Sequence, residues 1–389
     1  MNAPKLRFKE FNDEYKYRNL SDISTLIKDG THGTHENSEN GIPLLSAKDI
    51  NNNKINIPED CRKISVDDYN KIYKNYLLKK DDILLTIVGS IGRTALYKNE
   101  KVAFQRSVAT IRIDDNNNSN YIRQYIESPI IINQLNNMTN SSAQGGVYLS
   151  SLSKLNFDIP RKEEQLKVAK FLSLLDKKIE LQFKKIEDLK LFKLYTENSL
   201  LNSSSSIHWK KLKLNDILIE GNKEPVKNTN DFKKITIKLN LNGLEFNESK
   251  REMSDKRPFY IREENEIIIG KQNYFNGSIA IVTKEFSGSI CSNAIMSFKV
   301  KEGYNLKYIY LYLSQKRYMK EREFLANGTG QKELSEKEFL KFTIKVPEDS
   351  VVNNITNIID KINTKINFEN NKLNKLIELK KGLMQNMFV

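Results

Sequence analysis

Apolar and polar positions follow one another in this chain in a pattern that occurs twice. A segment closing on a proline and followed by an amphipathic run appears at Pro160 and again at Pro347, 187 positions later. After the first proline the apolar stripe is Leu172, Leu175, Ile179, Ile186, Leu189 and Leu200. After the second it is Ile359, Ile362, Ile366, Leu373, Leu376 and Met387, each in the matching place. Spacings of three and four predict a long helix in each copy, about 40 residues and about 60 Å. The stripe has heptad spacing, which favours a left-handed coiled coil over a helix lying on a sheet. Two pairs of equivalent polar residues interrupt it, Gln182 with Glu369 and Lys193 with Lys380. On a seam such residues cost stability and fix register. Solenoid repeats run roughly 20–50 residues, so this repeat marks two similar domains, each followed by a long helix.

Between the helices the pattern changes to short strands, turns and short helices. Ile83 to Val88 reads as a buried strand, followed by the turn Gly89-Ser90-Ile91-Gly92. Thr94 to Tyr97 and Val108 to Ile113 are strand-like, and Tyr121 to Asn137 is helical with Pro129 interrupting it. Ser141 to Gly146 is a flexible turn. The second half repeats the order. Glu266-Ile267-Ile268-Ile269 echoes Asp82-Ile83-Leu84-Leu85, Gly277-Ser278-Ile279-Ala280 echoes Gly92-Arg93-Thr94-Ala95, and Asn327 to Lys332 stands where Ser142 to Gly146 stands. The shared positions are apolar or turn residues; the stretches between them, such as Lys28 to Asp60 against Gly221 to Lys256, share little. A common frame with diverged loops suits two modules that read different targets. The expected organisation is a domain at 1–160, a helix at 161–202, a second domain at 203–347 and a second helix at 348–389. Asn202 and Ser203 to Ser206 form the linker that opens the second domain. The fold class is α+β: two similar mixed α/β domains and two long helices. Run antiparallel as a coiled coil, the helices would hold the domains at opposite ends of a rod, related by an approximate two-fold axis.

Charge points to the partner. The 389 residues carry a formal net charge of +14 and a pI of about 9.3, a balance that favours a polyanion, most often nucleic acid. A Lys- and Asn-rich proteome is the plain alternative, and runs such as Asn51-Asn52-Asn53-Lys54 fit it. Two cysteines, Cys61 and Cys291, and three histidines, His32, His35 and His208, make neither a disulfide framework nor a zinc spacing. Nothing approaches roughly 18 consecutive apolar residues, and Met1 to Phe11 has no hydrophobic signal core. A soluble, cytoplasmic chain with no membrane partner is expected. Its start at Met1 and its close just after Phe388 are read as those of a free-standing chain.

Catalytic patterns are missing. With no Pro-Pro dipeptide the chain lacks the Asp/Asn/Ser-Pro-Pro-aromatic tetrapeptide of amino-methyltransferases, and with no Pro-Asp it lacks a common nuclease motif. Gly270-Lys271 is followed by Gln272, so no phosphate-cradling loop forms. Gly89-Ser90-Ile91-Gly92 is not a dinucleotide fingerprint, and no histidine stands in a nucleophile-elbow context. The reading is a recognition protein, not an enzyme, that directs chemistry done elsewhere; it has no cofactor or metal of its own.

At this point the chain resembles the specificity subunits of type I restriction–modification enzymes over nearly its whole length. The carriers are Pro4-Lys5-Leu6-Arg7-Phe8 with Phe11, the loop Asp29-Gly30-Thr31-His32, Pro160 followed by Glu163-Glu164-Gln165, and the closing run Leu376 to Phe388. The second copy departs: Pro347-Glu348-Asp349 leads into Ser350-Val351-Val352, and the Glu-Gln pair is given no role beyond helix capping. The resemblance implies two target recognition domains on spacer helices. It also implies two methyltransferase subunits that bind S-adenosylmethionine and methylate adenine, and restriction subunits that use ATP and Mg to translocate and cut double-stranded DNA. A stand-alone two-domain DNA-binding regulator, or an interaction protein working through its coiled coil, remains the alternative.

Major-groove reading calls for amides, Arg and Lys on loops, with hydroxyl and backbone N–H groups on phosphates. In the first domain the candidates are Thr31, His32, Thr34, Lys48, Ser90, Arg93, Gln105, Arg106 and Gln144. In the second they are Lys238, Lys271, Gln272, Asn273, Tyr274, Asn293, Gln331 and Lys332. His32 is read as a loop hydrogen-bonder. Lys177, Lys178, Lys184, Lys185, Lys372 and Lys375 on the helices are candidates for phosphate contact across an unread gap, or a solvated face. Two readers on one face of a duplex would sit about one helical turn, roughly 34 Å, apart.

Overall fold

A computed structural model describes residues 3–140, 145–202, 209–247, 257–325 and 333–389. Gln144, His208, Gln331, Lys332 and the Ser203–Ser206 linker lie outside these. The chain divides into two compact units, one of residues 1–184 with 370–389, the other of residues 185–369.

The first unit is built on a four-stranded antiparallel sheet. After β1 (Lys16–Asn19), which pairs separately with β6 (Asn156–Ile159), its four strands are β2 (Ser24–Asp29), β3 (Ile83–Thr86), β4 (Thr94–Leu96) and β5 (Val108–Ile113), in sheet order β2-β5-β3-β4. The unbroken apolar run of β3 has a plain cause. Side chains alternate between faces along a strand: Ile83 and Leu85 enter one core and Leu84 enters another. The first core is closed by helix α1 (Ser119–Ile126), which contributes Tyr121, Ile122, Tyr125 and Ile126. Pro129 does not kink this helix; it is the first residue of a second one, α2 (Pro129–Asn140), where a missing N–H costs nothing. The second core packs Leu44, Leu45, Phe104 and Tyr97 on the other face.

The long helix α3 (Lys162–Leu201, 40 residues) begins in this unit. Glu164 and Gln165 do more than cap it. Arg7 forks onto the buried Glu164 carboxylate at 2.9 and 2.8 Å, and the Tyr15 hydroxyl donates to it at 2.9 Å. Gln165 accepts the Asn118 N–H at 2.9 Å and donates to the Pro160 carbonyl at 2.9 Å. Val168, Ala169 and Leu172 share a core with Met384, Met387 and Phe388, and Asp176 pairs with Lys380 at 2.6 Å. As α3 advances its partners recede, so the two stretches of helix in this unit run antiparallel. Leu175, Leu373 and Leu376 are buried, and Ile179 is half-buried.

The second unit repeats the plan. Its strands include β7 (Lys210–Lys213), β8 (Leu218–Glu220), β9 (Ile267–Gly270), β10 (Ile279–Ile281), β11 (Ile295–Val300) and β12 (Thr343–Val346), with helix α4 (Leu306–Leu313) and long helix α5 (Asp349–Met387, 39 residues). Sheet order is β8-β11-β9-β10, and β7 pairs with β12. Ile267 and Ile269 enter one core and Ile268 another, as in the first unit. Val351 and Val352, where the first helix has Glu164 and Gln165, pack into the core with Leu201 and Ile355. Ile186 and Ile359 are buried, with Leu189, Ile362 and Ile366 half-buried. Glu369, 1% exposed, pairs with Lys185 at 2.7 Å and with Lys365 at 3.1 Å. Gln182 is buried on the stripe too. Lys193 pairs with Glu197 at 3.5 Å.

Candidate nucleic-acid interface

In each unit the loops gather at one end of the sheet. In the first, β2 and β3 leave the sheet where β5 enters it, so the segments after Asp29 and Thr86 and before Val108 are neighbours. The Ile87 N–H donates to the Ser107 carbonyl at 2.9 Å, and the Val147 N–H donates to the Ile87 carbonyl at 2.9 Å. In the second unit the Lys271 N–H donates to the Ala294 carbonyl at 3.0 Å, and the Leu334 N–H to the Lys271 carbonyl at 2.9 Å. Ile87 and Lys271 are equivalent positions on equivalent frames. Backbone hydrogen bonds of this kind hold loops whose side chains are free to differ.

Several candidates of the first unit meet here. Thr31 forms a parallel bridge with Gln105, and the Arg106 N–H donates to the Thr31 carbonyl at 3.0 Å. Gly30 permits the approach: a Cβ there would lie 2.1 Å from the Phe104 carbonyl oxygen. Lys48 is brought alongside by the Ala47 N–H, which donates to Ser107 Oγ at 3.0 Å. Ser90 and Arg93 are held by the buried Thr86, whose hydroxyl donates to the Ser90 carbonyl and accepts the Arg93 N–H at 2.9 Å. Val88 bridges Gly146 beside them. Lys48, Arg93 and Arg106 are exposed and, among the described residues, in no ion pair. Free cations at one sheet end suit a polyanion. Thr34 is exposed. His32 is exposed and its Nε2 sits 2.5 Å from Asp29 Oδ2, so it is engaged within its own loop.

The second unit is less uniform. Gln272, Asn273 and Asn293 are exposed at the strand ends, and Lys271 is half-buried, its Nζ 3.6 Å from Glu336. Lys238, half-buried, follows the first strand of a hairpin (Ile235–Ile237 paired with Leu244–Phe246) whose Leu241 N–H donates to the Gly277 carbonyl at 3.0 Å, and its Nζ is 3.4 Å from Glu245. Tyr274 corrects the sequence expectation. Its side chain is fully buried, edge-on to Phe275 and Phe339, and its hydroxyl donates to the Leu313 carbonyl at 2.8 Å. Burial pushes its hydroxyl well above the ordinary tyrosine value. From there it meets no solvent. The turn Tyr274–Asn276 closes on Gly277 at φ +77°, a left-handed conformation that glycine adopts without strain.

Some polar residues at these ends escaped the sequence reading. His35 lies between Thr31 Oγ1 (2.7 Å from Nε2) and Asp68 (3.4 Å from Nδ1), fixing the 31–35 loop to a helix far along the chain. Arg262 and Lys223 line a pocket with Lys271 and Asn293. Lys223 stands in a polar stretch with no distinguishing neighbour. For Arg262 the only signal was its place two residues after Tyr260, just past the short apolar strand Phe259–Ile261.

Two matching units, each with diverged loops at the same end of the same sheet, define a duplicated recognition module. The chain belongs to the type I restriction–modification DNA specificity family, whose domain model matches residues 12–191 and again 207–379. It is similar in fold to the S subunit of a type I restriction–modification system from M. genitalium, at 15% identity and a TM-score of 0.58, covering 100% of this chain and 99% of that one. It is also similar to a chain from a structural study of complex assembly and conformational transition of the type I R-M system, at 12% identity and a TM-score of 0.57, covering 97% and 98%. No helix among the described residues is long and apolar enough to cross a membrane.

Proposed function

We propose that this chain is the specificity subunit that selects a bipartite DNA site, each unit reading one short segment with unread base pairs between them. The observation that carries this is the pair of equivalent loop frames, anchored at Ile87 and at Lys271, with different side chains on each. In this reading the chain is not catalytic. Residues 1–160 and 203–347 recognise, and 161–202 and 348–389 set the gap. Two methyltransferase subunits carrying S-adenosylmethionine modify adenine, and restriction subunits supply ATP- and Mg-dependent cleavage. Exposed Leu174 and Leu181 on α3 in the first unit, and Leu191 and Leu194 in the second, are apolar positions suited to partner subunits. The cytoplasm is its expected place.

The test is a methylome. The chain is co-expressed with its methyltransferase in a host without DNA methylation, and modified adenine is mapped across the genome. Two short segments at a fixed spacing support the reading, and replacing residues 17–160 by another such domain then changes one segment only. A contiguous motif, or no methylation with both subunits soluble, overturns it in favour of the stand-alone regulator.

A further inference from the structure

At the strand ends of the second unit lies a pocket of about 190 Å³. Its polar wall includes Lys223, Tyr260, Arg262, Lys271, Asn293 and Glu336. Three of these are cations and one is an anion. Glu336 is shared, with Lys223 Nζ at 2.5 Å and Lys271 Nζ at 3.6 Å. Arg262 stands apart. It is 2% exposed, its Nε donates to the Cys291 sulfur at 2.9 Å, and its Nη1 donates to the Asn222 carbonyl at 3.1 Å. Burial holds the Cys291 thiol above its ordinary value, against the pull of Arg262, so the thiol stays neutral. The buried carboxylate of Glu266 uses Oε2 on the Ser297 hydroxyl at 2.8 Å and on the Glu263 N–H at 3.2 Å. Among the described residues Arg262 has no ion-pair partner. The Glu266 carboxylate, whose Oε1 is buried without a hydrogen-bond partner, adds charge near the Cys291 thiol without bonding to Arg262. A buried guanidinium whose hydrogen bonds reach only a thiol and a carbonyl is costly, and its planar fork matches a phosphate better than any other side chain does.

We propose that this pocket is a phosphate site that seats one phosphodiester of the DNA backbone beside the segment read by the second unit, with Arg262, Lys271 and Lys223 as donors. The proposal rests on the DNA-reading function above and names a contact that positions the unit without reading a base. The first unit has no counterpart. The Lys79 N–H donates to Asp82 at 2.8 Å as the Glu263 N–H does to Glu266. That match puts buried Leu78 where the second unit has Arg262, and Ile87 where it has Lys271. In place of the guanidinium, the Tyr76 hydroxyl donates to the Asp29 carbonyl at 3.2 Å. The site therefore belongs to one half of the target only.

The test uses the full chain in complex with its methyltransferase subunits and a fluorescent duplex carrying the mapped site, titrated at several salt concentrations. Each phosphate contact contributes about 0.9 to the slope of log affinity against log salt. R262M is expected to flatten the slope by about that amount, R262K to keep most of it, and K223M, at the exposed mouth, to flatten it in part. A scan of single neutral methylphosphonates should find one position that weakens the unaltered protein and leaves R262M indifferent. An unchanged slope in both R262M and K223M, with melting temperatures unchanged, overturns the phosphate site. If R262M is unstable, K223M and the methylphosphonate scan decide the matter alone. Thermal protection by inorganic phosphate without any change of slope overturns the DNA source in favour of a free anion. No DNA binding by the unaltered complex overturns the reading beneath it.

Discussion

Replacing Tyr274 by phenylalanine separates packing from recognition. The ring stays, between Phe275 at 5.2 Å and Phe339 at 5.6 Å; only the hydroxyl goes. That hydroxyl satisfies the Leu313 carbonyl at 2.8 Å, one of the end carbonyls of α4 that the helix itself leaves open. The loss is one net hydrogen bond, about 1 kcal/mol, with a further penalty for the stranded carbonyl, so about 1.5 kcal/mol in all. In a domain of this size that lowers the melting temperature by roughly 3–6 °C. Differential scanning calorimetry of the full chain reads the shift, and the duplex titration reads affinity. We expect a lower melting temperature and unchanged affinity below it. An unchanged melting temperature with weakened DNA binding would refute the argument, since it requires the tyrosine to face outward.

Two further predictions follow from the first unit. G30A places a methyl group 2.1 Å from the Phe104 carbonyl oxygen, backbone that cannot give way cheaply; it should displace Thr31 from Gln105 and cost about 1–3 kcal/mol. Binding to the segment read by that unit should then fall while the other segment is still selected, and full retention of both in a methylome would count against the loop's role. Alkaline pH should unfold this unit early: burial pushes Tyr76, Tyr97 and Tyr125 up to about 12. The folded hydroxyls hold their protons while the unfolded ones release them near pH 10. Their stabilisation is complete below pH 10 and is lost as pH rises towards 12. Because Tyr17, Tyr148 and Tyr195 are exposed, the amplitude decides: a tyrosinate absorbance that reaches that of the unfolded chain near pH 10 with the fold intact would contradict it.

Much of the architecture was legible because it is repeated. The stripe from Leu172 to Leu376 is written in residues that have one reason to keep their spacing, burial, and Gln182 and Glu369 lie buried on it. The alternating cores behind Ile83-Leu84-Leu85 were legible only as a buried strand, since a continuous apolar run does not say how many layers cover it. The site was harder. Thr31, Gln105 and Arg106 are brought together by pairing across about 75 residues of chain, which local pattern does not report. Tyr274 failed because Lys271-Gln272-Asn273 before it reads as a polar loop, while its own ring packs inward against Phe275 and Phe339. Arg262 was missed for the opposite reason: a charge just past a short strand looks exposed, and only the thiol and carbonyl around it show otherwise.

The composition of the first unit carries a consequence for how the chain is made. Its core includes Met384, Met387 and Phe388, and the Tyr125 hydroxyl donates to the Val389 carbonyl, although its strands all come before Pro160. The second unit is one unbroken stretch. On the ribosome, then, the half translated first is the half completed last. Its sheet must wait, with the Tyr121 and Tyr125 face uncovered, until the other half has been synthesised and the final helix has emerged. A nascent chain stalled anywhere before Leu373 presents that aromatic face to whatever chaperone or partner is nearby.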